Sequence, residues 1–111
     1  MTNTMLSPVF KNTECVEVVD FLQTLVKAKS ITPDDAGTLN WLSEQLGLLG
    51  FEIERIHKNG VNNLIASRHF GEGPKLGFIG HVDVVPASSN GWKADPFSGE
   101  IIKGFIYGRG V

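Results

Sequence analysis

The chain has 111 residues, 41% of them hydrophobic and 20% charged, with ten basic against twelve acidic side chains. That length holds one domain with a modest core, and the near-neutral balance offers no electrostatic footprint for nucleic acid and no basic tail for a membrane surface. A single cysteine, Cys15, excludes an intrachain disulfide and a cysteine-based zinc ribbon.

Residues 1–12 read as a loose arm, in which Pro8 argues against helix. The arm lacks the basic start and long apolar core of a signal peptide, and no apolar run is long enough to span a bilayer. A cytoplasmic location is therefore expected. From Glu14 the pattern becomes helical, with Thr13 as N-cap and Cys15, Val18, Val19, Leu22, Leu25 and Val26 forming one apolar stripe. On that stripe Cys15 packs as a small hydrophobe. A second helix is predicted from Thr32 as cap, with Pro33 in the first helical position and Asp34 and Asp35 in the first turn. Leu39, Leu42, Leu46 and Leu49 share its face, and Gly50 caps its end.

Phe51 to Ile56 alternates as a half-exposed strand, and Asn63 to Ser67 is a short apolar one. After the glycine-rich loop from His69 to Pro74, Leu76 to Ile79 reads as the central buried strand. Glu100–Ile102 and Phe105–Tyr107 flank Lys103-Gly104 as a two-residue hairpin. The order of two helices followed by strands and a hairpin predicts an α/β layer structure with a mixed or partly antiparallel sheet.

Zinc sites draw on histidine nitrogen, carboxylate oxygen and thiolate. With one remote cysteine, such a site here rests on His81, His57, His69 and carboxylates. His81 falls at the C-terminal end of the predicted buried strand, where open α/β sheets place ligands. Asp83 lies two positions on, and in extended backbone those two side chains share a side. A carboxylate beside a metal-bound imidazole holds the ring's other N–H and raises its basicity. The residues alone leave two readings open: a metal or catalytic pair, or a histidine hydrogen-bonded at a strand end. His57 and His69 read as exposed turn and loop residues. Trp41, Trp92 and Phe97 read as packing, since no basic patch interleaves with them. Gly108-Arg109-Gly110 is either a tight turn with a solvent-facing arginine or a loop that brings Arg109 to a site.

The run Gly80-His81-Val82-Asp83-Val84-Val85-Pro86 resembles the di-zinc exopeptidase and deacylase family, with Val82 where the family usually has threonine. Gly91-Trp92, Asp95-Pro96-Phe97 and Gly104-Phe105-Ile106-Tyr107-Gly108-Arg109-Gly110-Val111 extend the likeness. Ser30-Ile31-Thr32-Pro33-Asp34-Asp35-Ala36-Gly37, Gly50-Phe51 and Asn62-Asn63-Leu64-Ile65-Ala66 look like its desuccinylase branch in particular. The resemblance implies a zinc-exopeptidase-like α/β catalytic domain with an inserted dimerisation domain and a homodimer. It implies a small-molecule N-acyl amino acid substrate, N-succinyl-LL-diaminopimelate in the desuccinylase branch, whose hydrolysis to succinate and LL-diaminopimelate serves lysine biosynthesis. It also implies two zinc ions, His81 as a metal ligand and Asp83 as the acidic catalytic partner.

In the family the Gly-Arg-Gly loop leads to an aspartate that bridges the metals, whereas this sequence stops at Val111. One matching ligand is fewer than the three that a catalytic zinc site normally uses. Residues 13–111 are therefore expected to be a partial metallohydrolase catalytic domain, inactive alone and holding at most one zinc weakly. Two alternatives are a related acetylornithine deacetylase or carboxypeptidase, against which the Thr32–Gly37 segment argues, and a non-enzymatic interaction module pairing through exposed edges near Phe105–Tyr107.

Overall fold

Helix α1, Cys15–Lys27, is the first element of the computed structural model, which describes residues 15–111. The expected arm over residues 1–12 and the Thr13 cap lie outside the described residues. From Val18 onward, the apolar stripe of α1 is covered increasingly toward its end. Val26 is buried and Val19, Leu22 and Leu25 are half-buried, whereas Val18 faces solvent. Spacing decides which residues share a side of a helix; neighbours decide whether that side is covered.

The second helix, α2, spans Thr38–Leu48 and does not start at Thr32. Residues 30–32 are instead engaged elsewhere: Ile31 pairs in parallel with Val84, and Thr32 N–H donates to the Val84 carbonyl at 3.0 Å. Ala36 (φ 50°) and Gly37 (φ 81°) then take left-handed conformations, which no helix can propagate through. Gly37 is the N-cap and has no side chain to cap with. Asp35 replaces it from outside the helix. Its carbonyl accepts from the Thr38 N–H and hydroxyl, and its carboxylate accepts from Leu39 N–H at 3.4 Å. The predicted first-turn role of Asp34 and Asp35 is thus corrected, with Asp34 closing a turn onto Ala36 N–H.

The end of α2 follows the sequence closely. Gly50 (φ 85°) lies just past the C-cap Leu49, Gly50 N–H donates to Gly47 and Phe51 N–H to Leu46. This is the paired bonding of a Schellman motif. The Arg68 guanidinium donates to the Leu49 carbonyl, one of the acceptors a helix end leaves free.

Strands β1, Glu52–Lys58, and β2, Val61–Ser67, pair antiparallel across Asn59-Gly60. Both turn residues have positive φ, the type I′ geometry that suits strand twist. Arg55 on β1 donates to Asn40 on α2 at 2.8 Å, and Asn62 on β2 donates to Asp35 at 2.9 Å. Trp41 is buried and meets the Phe21 ring at 4.3 Å, joining α2 to α1. Val26, Leu39 and Trp41 are the buried apolar residues among those described, so the core is small.

The predicted terminal hairpin forms as β3, Ile101–Ile102, and β4, Phe105–Ile106, around Lys103 and Gly104. Gln23 of α1 donates to the Gly99 carbonyl at 2.8 Å and anchors its approach. The mixed sheet is not continuous: the described residues hold two separate two-stranded antiparallel sheets and one parallel bridge.

Leu76–Ile79 is the main correction. It forms no strand; Leu76 is 84% exposed, Phe78 89% and Ile79 fully so. A strand buried on both faces needs strands beside it and layers over it, and the described residues bring neither to this segment. Phe78→Ala is accordingly expected to change unfolding stability by less than about 0.5 kcal/mol. Trp41→Ala should cost about 3–5 kcal/mol. Denaturant titration of the two variants checks the contrast.

Asp35 predicts the acid limb of stability. The hydrogen bond from Asn62, above all, holds its carboxyl below the ordinary 3.8, with Leu39 N–H and Arg55 assisting against desolvation. A depressed folded pKa contributes stability that is complete above 3.8 and is lost as pH falls through the folded value. Asp35→Asn should flatten the stability curve below about pH 4, as read from denaturation midpoints at stepped pH.

Candidate functional site

His81 and Asp83 belong to a segment held in place from far along the chain. Ser30, 2% exposed, donates its hydroxyl to the Val82 carbonyl at 2.6 Å. Val84 N–H donates to the Ser30 carbonyl at 2.8 Å, and Thr32 N–H returns the bond to Val84. These bonds lock residues 30–32 alongside 82–84. Residues 81 and 83 then point the same way, as extended backbone requires.

His81 Nδ1 lies 3.1 Å from Asp83 Oδ1 and 2.9 Å from the Asp83 carbonyl oxygen. Both partners are acceptors only, so Nδ1 carries the hydrogen. In the neutral ring that leaves Nε2 with its lone pair free to bind. The imidazole is 80% exposed and the Asp83 side chain 38%. The second carboxylate oxygen, Oδ2, accepts from the Thr32 hydroxyl at 2.6 Å. That bond, first among the causes, holds the Asp83 carboxyl below its ordinary 3.8; its own N–H and His81 assist, and desolvation opposes.

The Gly-Arg-Gly loop packs beneath this segment. A Cβ on Gly110 would stand 2.8 Å from Val84 Cγ1, and one on Gly108 2.7 Å from Val26 Cγ1. Arg109 is not solvent-facing: it is half-buried, with its guanidinium carbon 5.1 Å from the centre of the Trp92 ring and its N–H donating to Pro96 at 2.7 Å. Its Nε is buried with no hydrogen-bond partner among the described residues.

The pair His81–Asp83 is therefore brought together as the spacing predicts, but outside any strand, with His81 exposed and Asp83 half-buried, and not at the end of a buried strand. His57 sits on β1, with Nδ1 2.7 Å from the Asn62 Oδ1, and His69 is exposed in its loop. Among the described residues no three His, Cys, Asp or Glu side chains gather to hold a metal ion. The donor chemistry thus fits one corner of a zinc site, His81 Nε2 backed by Asp83, and does not close one. Sequence reasoning missed Ser30 and Thr32. Thr32 looks like a helix cap locally, and nothing near it in sequence points to Asp83.

No protein-family model matches the chain. It is 48% identical over 96 residues to the succinyl-diaminopimelate desuccinylase of a Sulfurovum species, and 47% over 96 residues to that of a Nitratiruptor species. The desuccinylase of Nautilia profundicola is 45% identical over the same length. Each match covers 86% of this chain and 25–26% of the relative.

The close fit of the Gly-Arg-Gly loop sets a test. Gly110→Ala combines left-handed backbone (φ 91°) with a Cβ contact of 2.8 Å. Backbone strain of about 1–2 kcal/mol and overpacking of about 1–3 kcal/mol should add. Gly60→Ala, at φ 77° with open space around it, should show the strain alone. Equal losses for the two in thermal unfolding would disprove the packing of the loop on Val84. Over 86% of its own length this chain resembles the succinyl-diaminopimelate desuccinylases, and it spans about a quarter of theirs.

Proposed function

We propose that residues 13–111 are part of the catalytic domain of a zinc-dependent amide hydrolase, a desuccinylase acting on N-succinyl-LL-diaminopimelate. The reaction adds water across the amide, giving succinate and the free amine of LL-diaminopimelate. The observation that carries the reading is the Thr32–Asp83–His81 chain of hydrogen bonds, which leaves His81 Nε2 exposed as a ligand nitrogen. The 41–48% identity to proteins named desuccinylases supports the substrate.

In this reading His81 is a metal ligand, and Asp83 is its acidic partner, fixing the ring and raising its basicity. Zinc, when bound, supplies Lewis acidity and an acidified water. Because the described residues supply one such ligand, the 111-residue chain alone is expected to be inactive and to bind at most one zinc, weakly. The full protein is expected to be a cytoplasmic homodimer.

Two measurements test this. The purified chain, assayed against N-succinyl-LL-diaminopimelate with zinc, should show no turnover above the metal-only background. Grafted into the Sulfurovum desuccinylase in place of the matched quarter, it should support turnover. In the graft, His81→Ala should cost at least about 100-fold and Asp83→Asn about 10–100-fold, while His57→Ala and His69→Ala stay near the parent value. Full activity of the His81→Ala graft would overturn the assignment, as would two tight zinc sites on the chain alone in a chelating-dye titration.

A further inference from the structure

We propose that Thr32 is a positioning residue for His81: its hydroxyl clamps the Asp83 carboxylate, which in turn fixes the imidazole as the Nδ1–H tautomer with Nε2 turned outward. The inference deepens the reading of His81 as a ligand and rests on it for its functional meaning, but its test does not.

The geometry separates what Thr32 does with its backbone from what it does with its side chain. The backbone belongs to the parallel bridge, donating to Val84 at 3.0 Å, and that bridge is also held by Val84 N–H to Ser30 and by the Ser30 hydroxyl to Val82. None of these bonds uses the Thr32 hydroxyl. The hydroxyl has one hydrogen and two acceptors in reach, Asp83 Oδ2 at 2.6 Å and the Val84 carbonyl at 3.2 Å. The shorter, charge-assisted bond takes it. Asp83 is then held at both oxygens, by Thr32 at Oδ2 and by His81 at Oδ1.

This second anchor matters because the site is open. An imidazole 80% exposed has no packing to fix its χ angles. What orients it is Asp83, through the backbone carbonyl and the carboxylate. The carboxylate is the stronger acceptor of the two and the one whose position depends on a rotamer. Thr32, β-branched and therefore stiff at χ1, is suited to hold that rotamer from a backbone already pinned.

The test uses the metal-free 111-residue chain and the imidazole ¹⁵N shifts of His81, which report the tautomer directly. In the parent, Nδ1 should be the protonated nitrogen. Thr32→Val keeps the shape and the backbone bonds, and should shift His81 toward the tautomer mixture of a free histidine side chain. Thr32→Ser restores the hydroxyl and should restore the parent signature. In an Asp83→Ala background, Thr32→Val should produce no additional shift, because the effect runs through that carboxylate. A His81 signature unchanged in Thr32→Val, with the amide spectrum otherwise intact, would overturn the proposal. So would an equal effect of Thr32→Val with and without Asp83. Should Thr32→Val unfold the chain, the comparison of Thr32→Ser with the parent still decides: loss of the Nδ1–H signature with a hydroxyl retained refutes the clamp. Failure of zinc binding or of turnover would leave all of these shifts as they are, so the two readings fail separately.

Discussion

The parallel bridge between Ile31 and Val84 is the constraint on which the rest of the site depends. Two backbone hydrogen bonds and the Ser30 hydroxyl join segments 52 to 54 residues apart. Closing a loop of that length costs about 3–4 kcal/mol in chain entropy. Three bonds at roughly 0.5–1.5 kcal/mol net each offset that and little more. The bridge therefore needs packing around it. Gly110 supplies this from one side by letting the last turn come against Val84, and Gly108 does the same against Val26 of α1. Ser30, almost fully buried, adds an asymmetry: its hydroxyl bonded to Val82 contributes modestly, but left unbonded it would cost about 1–3 kcal/mol.

Two polar devices involve residues at or just after this bridge, Thr32 and Asp35. Toward the 81–83 segment, Thr32 reaches Asp83 and through it His81. Toward the helix and hairpin, Asp35 accepts from Leu39 N–H at the start of α2 and from Asn62 on β2, which in turn accepts from His57. Both aspartates are acidified chiefly by a side-chain hydrogen bond, from Asn62 at Asp35 and from Thr32 at Asp83. The loop between Thr32 and Gly37 thus links the packing of α2 and the hairpin to the orientation of the candidate ligand.

The run from Leu76 to Ile79 is exposed, and so is the imidazole of His81, the candidate ligand. The apolar run lacks covering neighbours among the described residues, and no further pair of His, Cys, Asp or Glu side chains joins His81 there to hold a metal ion. The chain spans about a quarter of the length of the relatives it matches.

What was legible in the sequence was local. The Schellman end of α2 at Gly50, the two-residue hairpin at Lys103-Gly104 and the shared side of His81 and Asp83 all follow from one or two residues' conformational preferences acting on immediate neighbours. The hairpin at Asn59-Gly60 was not anticipated, although its dipeptide favours the same kind of turn. Where the sequence misled, a distant partner overrode a local preference. Thr32-Pro33-Asp34-Asp35 has the letters of a helix start, yet Val84 takes Thr32 into a bridge and the helix begins at Thr38. Leu76–Ile79 has the letters of a buried strand, yet burial is a property of neighbours. By itself the sequence determined which side chains could bind, cap or turn. The tertiary structure alone decided that Thr32 serves Asp83, because a hydrogen bond is set by distance in space, and nothing local records a partner 51 residues away.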